Sequence, residues 1–364
     1  MTVVFVCNKY SPAHVYTIEA YKKIFENNEI GSFLLDDFLV DKDRMSSIDI
    51  EHISIEQLNV QKDRDILFFF VSPHIDNIKT IKAIRKRIEE AKIIYLYHEP
   101  MTKQMSREIL QDRGFSLRSL KYIFGLSYFN GRRLIKKTDY VILPSNNANT
   151  IYEKDRVFKK HPHSVIHLLF ERNFNFENKP RNYFSYIGTI ANNHGFFEFV
   201  KYLLETDRIQ NNLRALIATS SKIDDEIVQK LIDKYGNQIV LKHGSFLSDE
   251  EIAKMYSETM VLWLGYKHSS QSGVLPMAFM YGAPALCSNI DSFKEFAVEG
   301  KNSEYVDIEK KSSIDDAIDK IQSNFEKYRL GCLDTYEVFF NPSNKSEQVV
   351  ELFTKIAKSG TKDL

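Results

Sequence analysis

Cysteine is scarce in this chain: three residues (Cys7, Cys287 and Cys332) among 364, odd in number and far apart. A disulfide frame or a zinc site needs cysteines that pair or cluster, so buried reduced thiols of a cytosolic protein are expected instead. Excess charge of one sign is missing too, with Lys+Arg and Asp+Glu both at 49. No global field draws the chain to nucleic acid, and no nucleic-acid partner is expected. No window approaches the ~20 apolar residues that span a bilayer. Met1–Asn8 carries no basic region or small-residue cleavage pattern and reads as a first strand rather than a signal peptide. A cytoplasmic location is the expectation. Internal repeats and heptad runs are absent, as are the P-loop, G-x-G-x-x-G, G-x-S-x-G and C-x-x-C patterns.

What is present is a soluble-type composition, 43% hydrophobic and 27% charged, on a chain long enough for two domains of common size. Apolar, β-branched runs at Thr2–Cys7, Ser32–Leu35, Ile66–Val71, Lys92–Tyr97, Tyr140–Pro144 and Ser164–Leu168 alternate with helical patterns such as Ala13–Phe25 and Asn77–Glu90. That rhythm argues for a doubly wound α/β domain with a parallel sheet. Glu171–Arg181 is polar, contains a proline and has no period, so it reads as a linker. A second alternating series runs from Tyr183 to about Asp307, with helices over Ser313–Tyr328 and Lys345–Ala357 after it. The expected organisation is an N-terminal domain over 1–170, a linker over 171–182, a C-terminal domain over 183–335 and closing helices over 336–364 that cross back to the first domain.

Residues 260–307 carry the most information. An apolar strand (Met260–Leu264) runs into a polar, small-residue loop (Lys267–Gly273) and then an apolar helix (about Val274–Tyr281) closed by Gly282. A Ser, Gln and Gly loop that opens a helix at the end of a strand offers amide groups to an anion. Ligands of open α/β sheets sit at that edge of the strands.

These residues resemble the donor-binding core of the GT-B glycosyltransferases, closest to the retaining family 4 type (glycosyl transferases group 1). The matching positions are Ser272-Gly273-Val274-Leu275, Tyr281-Gly282-Ala283-Pro284, Ala285–Asn289 and Phe293-Lys294-Glu295-Phe296, with Ile239–Gly244, Leu247–Glu251 and Tyr186-Ile187-Gly188-Thr189 upstream. The resemblance covers roughly residues 183–307 and implies two Rossmann-like domains facing a cleft. It also implies a nucleotide-sugar donor such as a UDP- or GDP-hexose, held by the second domain, and a glycan or lipid-linked acceptor held by the first. Retaining hexosyl transfer in bacterial surface polysaccharide synthesis, with no essential metal and no other cofactor, is the implied activity. The chain departs from the family at Ser269 and Met277, where two acidic residues are usual, and at Thr189 and His194, where Arg and Lys are usual. A non-catalytic GT-B subunit and, less, a sugar-nucleotide epimerase are the alternatives.

The donor-binding candidates are Gly188, Thr189, His194, Lys267, Ser270, Gln271, Ser272, Gly273, Val274 and Glu295. Hydroxyls, a cation and closely approachable backbone suit a diphosphate, while an ordinary Ser cap on a buried helix is the plain reading of the same loop. His98-Glu99-Pro100 ends a strand of the first domain, where a His and a carboxylate suit an acceptor hydroxyl or a departing charge. A histidine bonded to loop backbone is the plain reading there. Phe115–Lys137 mixes aromatics with Arg118, Lys121, Arg132 and Arg133, the composition of a segment that touches the cytoplasmic face of a membrane or an acceptor bound there. Asp41-Lys42-Asp43 and Asp63-Arg64-Asp65 have the D-x-D form of metal-dependent transferases but read as solvated turns. His161-Pro162-His163 lacks further ligands for a metal.

Overall fold

Thr2–Val6 is apolar and β-branched on both faces, and it forms β1, buried from Val3 onward. Such a strand has to be covered above and below, which helices on both sides of a parallel sheet achieve. The computed structural model describes residues 1–8, 12–39, 48–58, 65–74, 76–100, 126–176, 179–208, 213–269 and 271–359. By packing, the chain divides into two units, Met1–Glu171 with Phe339–Leu364 and Arg172–Val338.

The first unit holds β1, β2 (Gly31–Leu35), β3 (His52–Ile53), β4 (Ile66–Phe70), β5 (Lys92–Leu96), β6 (Tyr140–Leu143) and β7 (His163–Val165). They lie in the order β3-β2-β1-β4-β5-β6-β7, and their ladders are parallel. Its helices before the linker are α1 (Pro12–Asn27), α2 (Asn77–Arg87), α3 (Leu126–Ile135) and α4 (Asn146–Glu153).

The second unit repeats the plan with β8 (Tyr183–Ile187), β9 (Arg214–Thr219), β10 (Ile239–His243), β11 (Thr259–Leu264), β12 (Ala285–Ser288) and β13 (Ser303–Val306), in the order β10-β9-β8-β11-β12-β13. Its helices are α5 (Phe196–Glu205), α6 (Asp225–Tyr235), α7 (Asp249–Glu258), α8 (Val274–Met280), α9 (Asp291–Lys294), α10 (Lys311–Ser323) and α11 (Phe325–Phe339). In each sheet the strand order reverses once, between β1 and β4 and between β8 and β11. Crevices for ligands open at such reversals, beyond the carboxyl ends of the strands.

The final helix, α12 (Pro342–Lys358), packs in the first unit: Phe353 meets Phe25 at 5.1 Å and Phe69 at 5.3 Å between ring centroids. One sequence expectation changes. The single helix expected over 313–328 is two, α10 and α11. They break at Asn324, whose backbone leaves the helical region at φ −130° and ψ 30° and whose side chain donates to Lys320 O. Of the helical pattern over 115–137, α3 is the part among the described residues; Arg118 and Lys121 lie outside them, as do Asp41-Lys42-Asp43 and most of Asp63-Arg64-Asp65.

Candidate functional site

Two loops leave the carboxyl ends of β8 and β11, and the sequence lets them touch backbone to backbone. Gly195 has φ +69°, and a Cβ there would lie 2.0 Å from Gly265 O. Only a residue without a side chain permits that approach. The single tryptophan, Trp263, locks the contact by donating Nε1–H to Gly195 O at 2.9 Å. Further along, Lys267 N–H donates to Asn193 O at 2.9 Å and Asn193 Nδ2 to His268 O at 3.2 Å. The His194 ring stacks on Tyr266 at 4.5 Å and 9°. The pairing of 193–195 with 265–268 is thus covalently remote and spatially continuous.

Most donor-binding candidates fall on this pair of loops. Gly188 follows β8, and a Cβ on it would meet Val274 Cγ2, in the first turn of α8, at 3.6 Å. Thr189 O accepts from Tyr186 Oη at 2.9 Å and from His194 Nδ1 at 2.8 Å. Because a carbonyl only accepts, His194 carries a proton on Nδ1. Lys267 Nζ lies 2.7 Å from Glu198 Oε1, so a carboxylate already answers this cation. Ser269 Oγ ties to the Gln271 backbone as both donor and acceptor. Ser270 lies outside the described residues.

Gln271 Oε1 and Ser272 Oγ are buried and make no hydrogen bond among the described residues. The Ser272 hydroxyl lies beside the Tyr266 phenol, which burial pushes up to about 12 against an opposing effect of Ser272, but the two miss hydrogen-bonding geometry. A buried polar atom left unpaired costs about 1–3 kcal/mol, and these two are sequence neighbours in the loop that opens α8. Gly273 and Val274 open α8, whose first amides have no carbonyl one turn back. Gly282, at φ +66°, closes it: Gly282 N–H reaches Phe279 O at 3.0 Å and Ala283 N–H reaches Ala278 O at 2.9 Å. That is the double bond pattern of a left-handed glycine cap. Glu295 follows α9 one strand along the same edge.

His98 and Glu99 belong to the first unit, just past β5. His98 Nε2–H donates to Val71 O at 3.0 Å, beyond the end of β4. Its ring lies 5.6 Å from that of His14, in the first turn of α1. Burial, then the charge of His14, lowers His98 to about 4. It is therefore neutral at pH 7, with the proton on Nε2 and a bare Nδ1 that accepts a hydrogen bond. That suits orienting a hydroxyl and does not suit standing as a cation beside a departing phosphate. Glu99 is exposed. Beside them at the β1/β4 reversal, buried Asn8 donates Nδ2 to Asn77 Oδ1 at 2.7 Å and its backbone N–H to Ser72 Oγ at 3.2 Å.

In α3, Arg132 lies over the Tyr128 ring at 5.5 Å and Arg133 is exposed beside half-exposed Phe129. Among the described residues no helix is long and apolar enough to cross a membrane. Nor is any group of three or more His, Cys, Asp or Glu placed to hold a metal ion. His161 and His163 bond locally, to Thr138 and to the His161 carbonyl.

Sequence reasoning missed Glu198, Asn193, Tyr266 and His14. Their roles come from partners far along the chain, and no local spacing marks them. A polar residue in the first turn after a βα loop was the one available signal for His14.

Residues 169–329 match the family model described as glycosyl transferases group 1. No curated protein matches the sequence. The fold is similar to Anabaena HepE, solved in complex with UDP and glucose, at TM-score 0.68 and 13% identity over 97% of this chain and 99% of that one. It is similar to the pneumococcal O-GlcNAc transferase GtfA in complex with UDP and GlcNAc, at 0.69 and 11% over 99% of each. A mutant of S. aureus TarM in complex with UDP and alpha-GlcNAc-glycerol superposes at 0.67 and 10%, over 98% of this chain and 100% of that one. Its two parallel α/β sheets give this chain the GT-B fold of those structures, and residues 169–329 are similar to the glycosyl transferases group 1 model.

Proposed function

We propose that the protein is a hexosyltransferase that takes its sugar from a nucleotide-sugar donor bound at the paired loops of the second unit. The observation that carries this reading is the buried, unpaired Ser272 Oγ and Gln271 Oε1 beside Gly188 and the opening of α8. The Ser272 hydroxyl donates to a phosphate oxygen, and the amides of Gly273 and Val274 face the same charge. Gln271 Oε1 accepts from a ribose or sugar hydroxyl. Such fixed donors stabilise a leaving diphosphate without reorganising during the reaction. Lys267 adds charge from the rim, shared with Glu198.

His98, as a neutral acceptor, orients a hydroxyl of the acceptor sugar held by the first unit. The acceptor is a glycan or a lipid-linked saccharide in surface polysaccharide assembly. Arg132, Arg133 and Phe129 on α3 bring the protein to the cytoplasmic face of the membrane that carries it. Transfer proceeds with retention and without an essential metal, as the resemblance to family 4 implies. Structures of similar fold bind UDP and UDP with sugars, which supports a uridine nucleotide as the first choice.

One observation favours a second reading, a GT-B subunit that binds a glycan or a partner transferase without turning over donor. The positions usually acidic hold Met277, buried inside α8, and Ser269, whose hydroxyl is spent on Gln271 backbone. Titrating UDP, GDP, ADP, CMP and dTDP, with and without magnesium, while following Trp263 fluorescence and thermal stability separates the two. Binding of one nucleotide that Gly273→Asp abolishes, with the variant still folded, is the result expected of the transferase. No binding of any nucleotide transfers the assignment to the non-catalytic subunit.

A further inference from the structure

At the amino edge of the second sheet, opposite the paired loops, lies a cavity of about 670 Å³. Residues of 172–176, Lys179, Arg181, the start of β11, the carboxyl end of α8 and the first turns of α11 line it, all within the second unit. Its size is that of a small-molecule site. Among the described residues its charge is lopsided: Arg172, Lys179, Arg181 and Arg329 line it against one carboxylate, Glu326.

That carboxylate is committed. Glu326 takes Arg329 in a two-pronged pair, at 2.8 Å to Nε and 2.6 Å to Nη2. Arg181 pairs with no carboxylate among the described residues and makes three hydrogen bonds to carbonyls, Tyr256 O at 3.3 Å, Thr259 O at 3.2 Å and Tyr281 O at 2.5 Å. Arg172 donates to Met280 O and lies over the Tyr336 ring. A guanidinium carries five N–H donors, so Arg172 and Arg181 keep donors over for a guest. Burial, and next the Arg329 charge, lowers Arg181 to about 10, as expected where positive charge is under-compensated. The remainder of the wall mixes Asn175, Ser257 and Tyr281 with apolar side chains: Phe174 and Phe176 stack at 6.3 Å and 21°, and Phe325 lies under the Arg181 guanidinium.

We infer that this cavity is a second ligand site, for a phosphate monoester carried on an aromatic or apolar body. Guanidinium forks and an ammonium match the oxygens of a dianionic phosphate, and the paired phenyl rings take the body. Capping the end of α8 explains the carbonyl bonds of Arg172 and Arg181. It does not account for Lys179, nor for aromatic walls around an excess of cations. The phosphate comes either from a soluble ester or from a lipid headgroup.

The test uses the full chain and phenyl phosphate as probe, by calorimetry, alongside inorganic phosphate and phenol, with UDP present to occupy the paired loops. Saturable binding with a dissociation constant on the order of 1 mM or tighter, stronger than either half-probe, is expected. Lys179→Ala, on an exposed side chain, should weaken it about fivefold with thermal stability unchanged, and Phe174→Ala should weaken phenyl phosphate while sparing inorganic phosphate. Vesicles containing phosphatidic acid that compete with the probe assign the lipid source, and competition only by soluble short-chain esters assigns the other. Absence of saturable binding, insensitivity to Lys179→Ala, or loss of binding when UDP is added would each overturn the proposal. The last result would place the probe at the paired loops instead.

Discussion

Lys267 Nζ and Glu198 Oε1 stand 2.7 Å apart, joining the loop after β11 to the first turn of α5 across 69 residues of sequence. Glu198 is nearly buried, with 11% of its side chain exposed, whereas Lys267 is half exposed at 49%. The pair fixes the lysine at the rim of the candidate donor site instead of leaving it to wander in solvent. Its contribution to folding is small, because so exposed a cation is screened by water. Lys267→Ala should therefore shift thermal stability little and raise the UDP dissociation constant about tenfold, the loss of one charge-assisted contact. Equal UDP affinity in variant and parent would remove Lys267 from the donor site.

Gly195→Ala tests the contact between the loops. The new methyl would sit 2.0 Å from Gly265 O on a backbone at φ +69°, and backbone cannot yield as a flexible side chain does. A loss of at least about 2 kcal/mol is expected in denaturant unfolding, with weaker nucleotide binding in the folded fraction. An unchanged midpoint would mean that the loops part without cost.

His98 makes stability depend on pH in a defined direction. Its folded pKa of about 4 lies below the ordinary value of 6.5. Above that ordinary value the ring is neutral in both states and contributes no slope. As pH falls from there to about 4, only the unfolded chain takes up the proton, so stability is lost. His161, lowered to about 4 chiefly by burial, acts in the same window and direction. His98→Asn keeps a donor for Val71 O and removes the titration. Between pH 6 and 4.5 its stability should fall less steeply than the parent's, by roughly 1.4 kcal/mol per pH unit at the steepest. Parallel curves would show that His98 titrates normally. Transfer activity should drop in this variant while UDP affinity holds.

Lys234 offers a fourth test, away from any ligand. Its ammonium donates to Leu203 O at 3.1 Å, Leu204 O at 2.7 Å and Thr206 O at 2.7 Å, satisfying the last carbonyls of α5. Lys234→Met keeps the stem and drops the donors, so about 1–2 kcal/mol of stability should go. Full stability in urea would mean that water serves those carbonyls as well.

The sequence by itself determined the two parallel α/β sheets, because a run such as Val3–Val6 or Val261–Leu264, apolar on both faces, fits only a strand covered on both sides. It also determined α8 and its ending at Gly282, since a glycine after an apolar helix is a local, conformational signal. The break at Asn324 was present as one polar residue in an otherwise helical pattern, too weak against the periodicity on either side to be read. Tertiary structure alone decided what each site residue does. Lys267 became half of an ion pair, His194 turned its proton to Thr189 O and its face to Tyr266, and His98 lost its charge beside His14. The physical reason is common to all three: burial and hydrogen-bond partners set protonation and orientation, and the partners lie on loops that only the order of strands brings together.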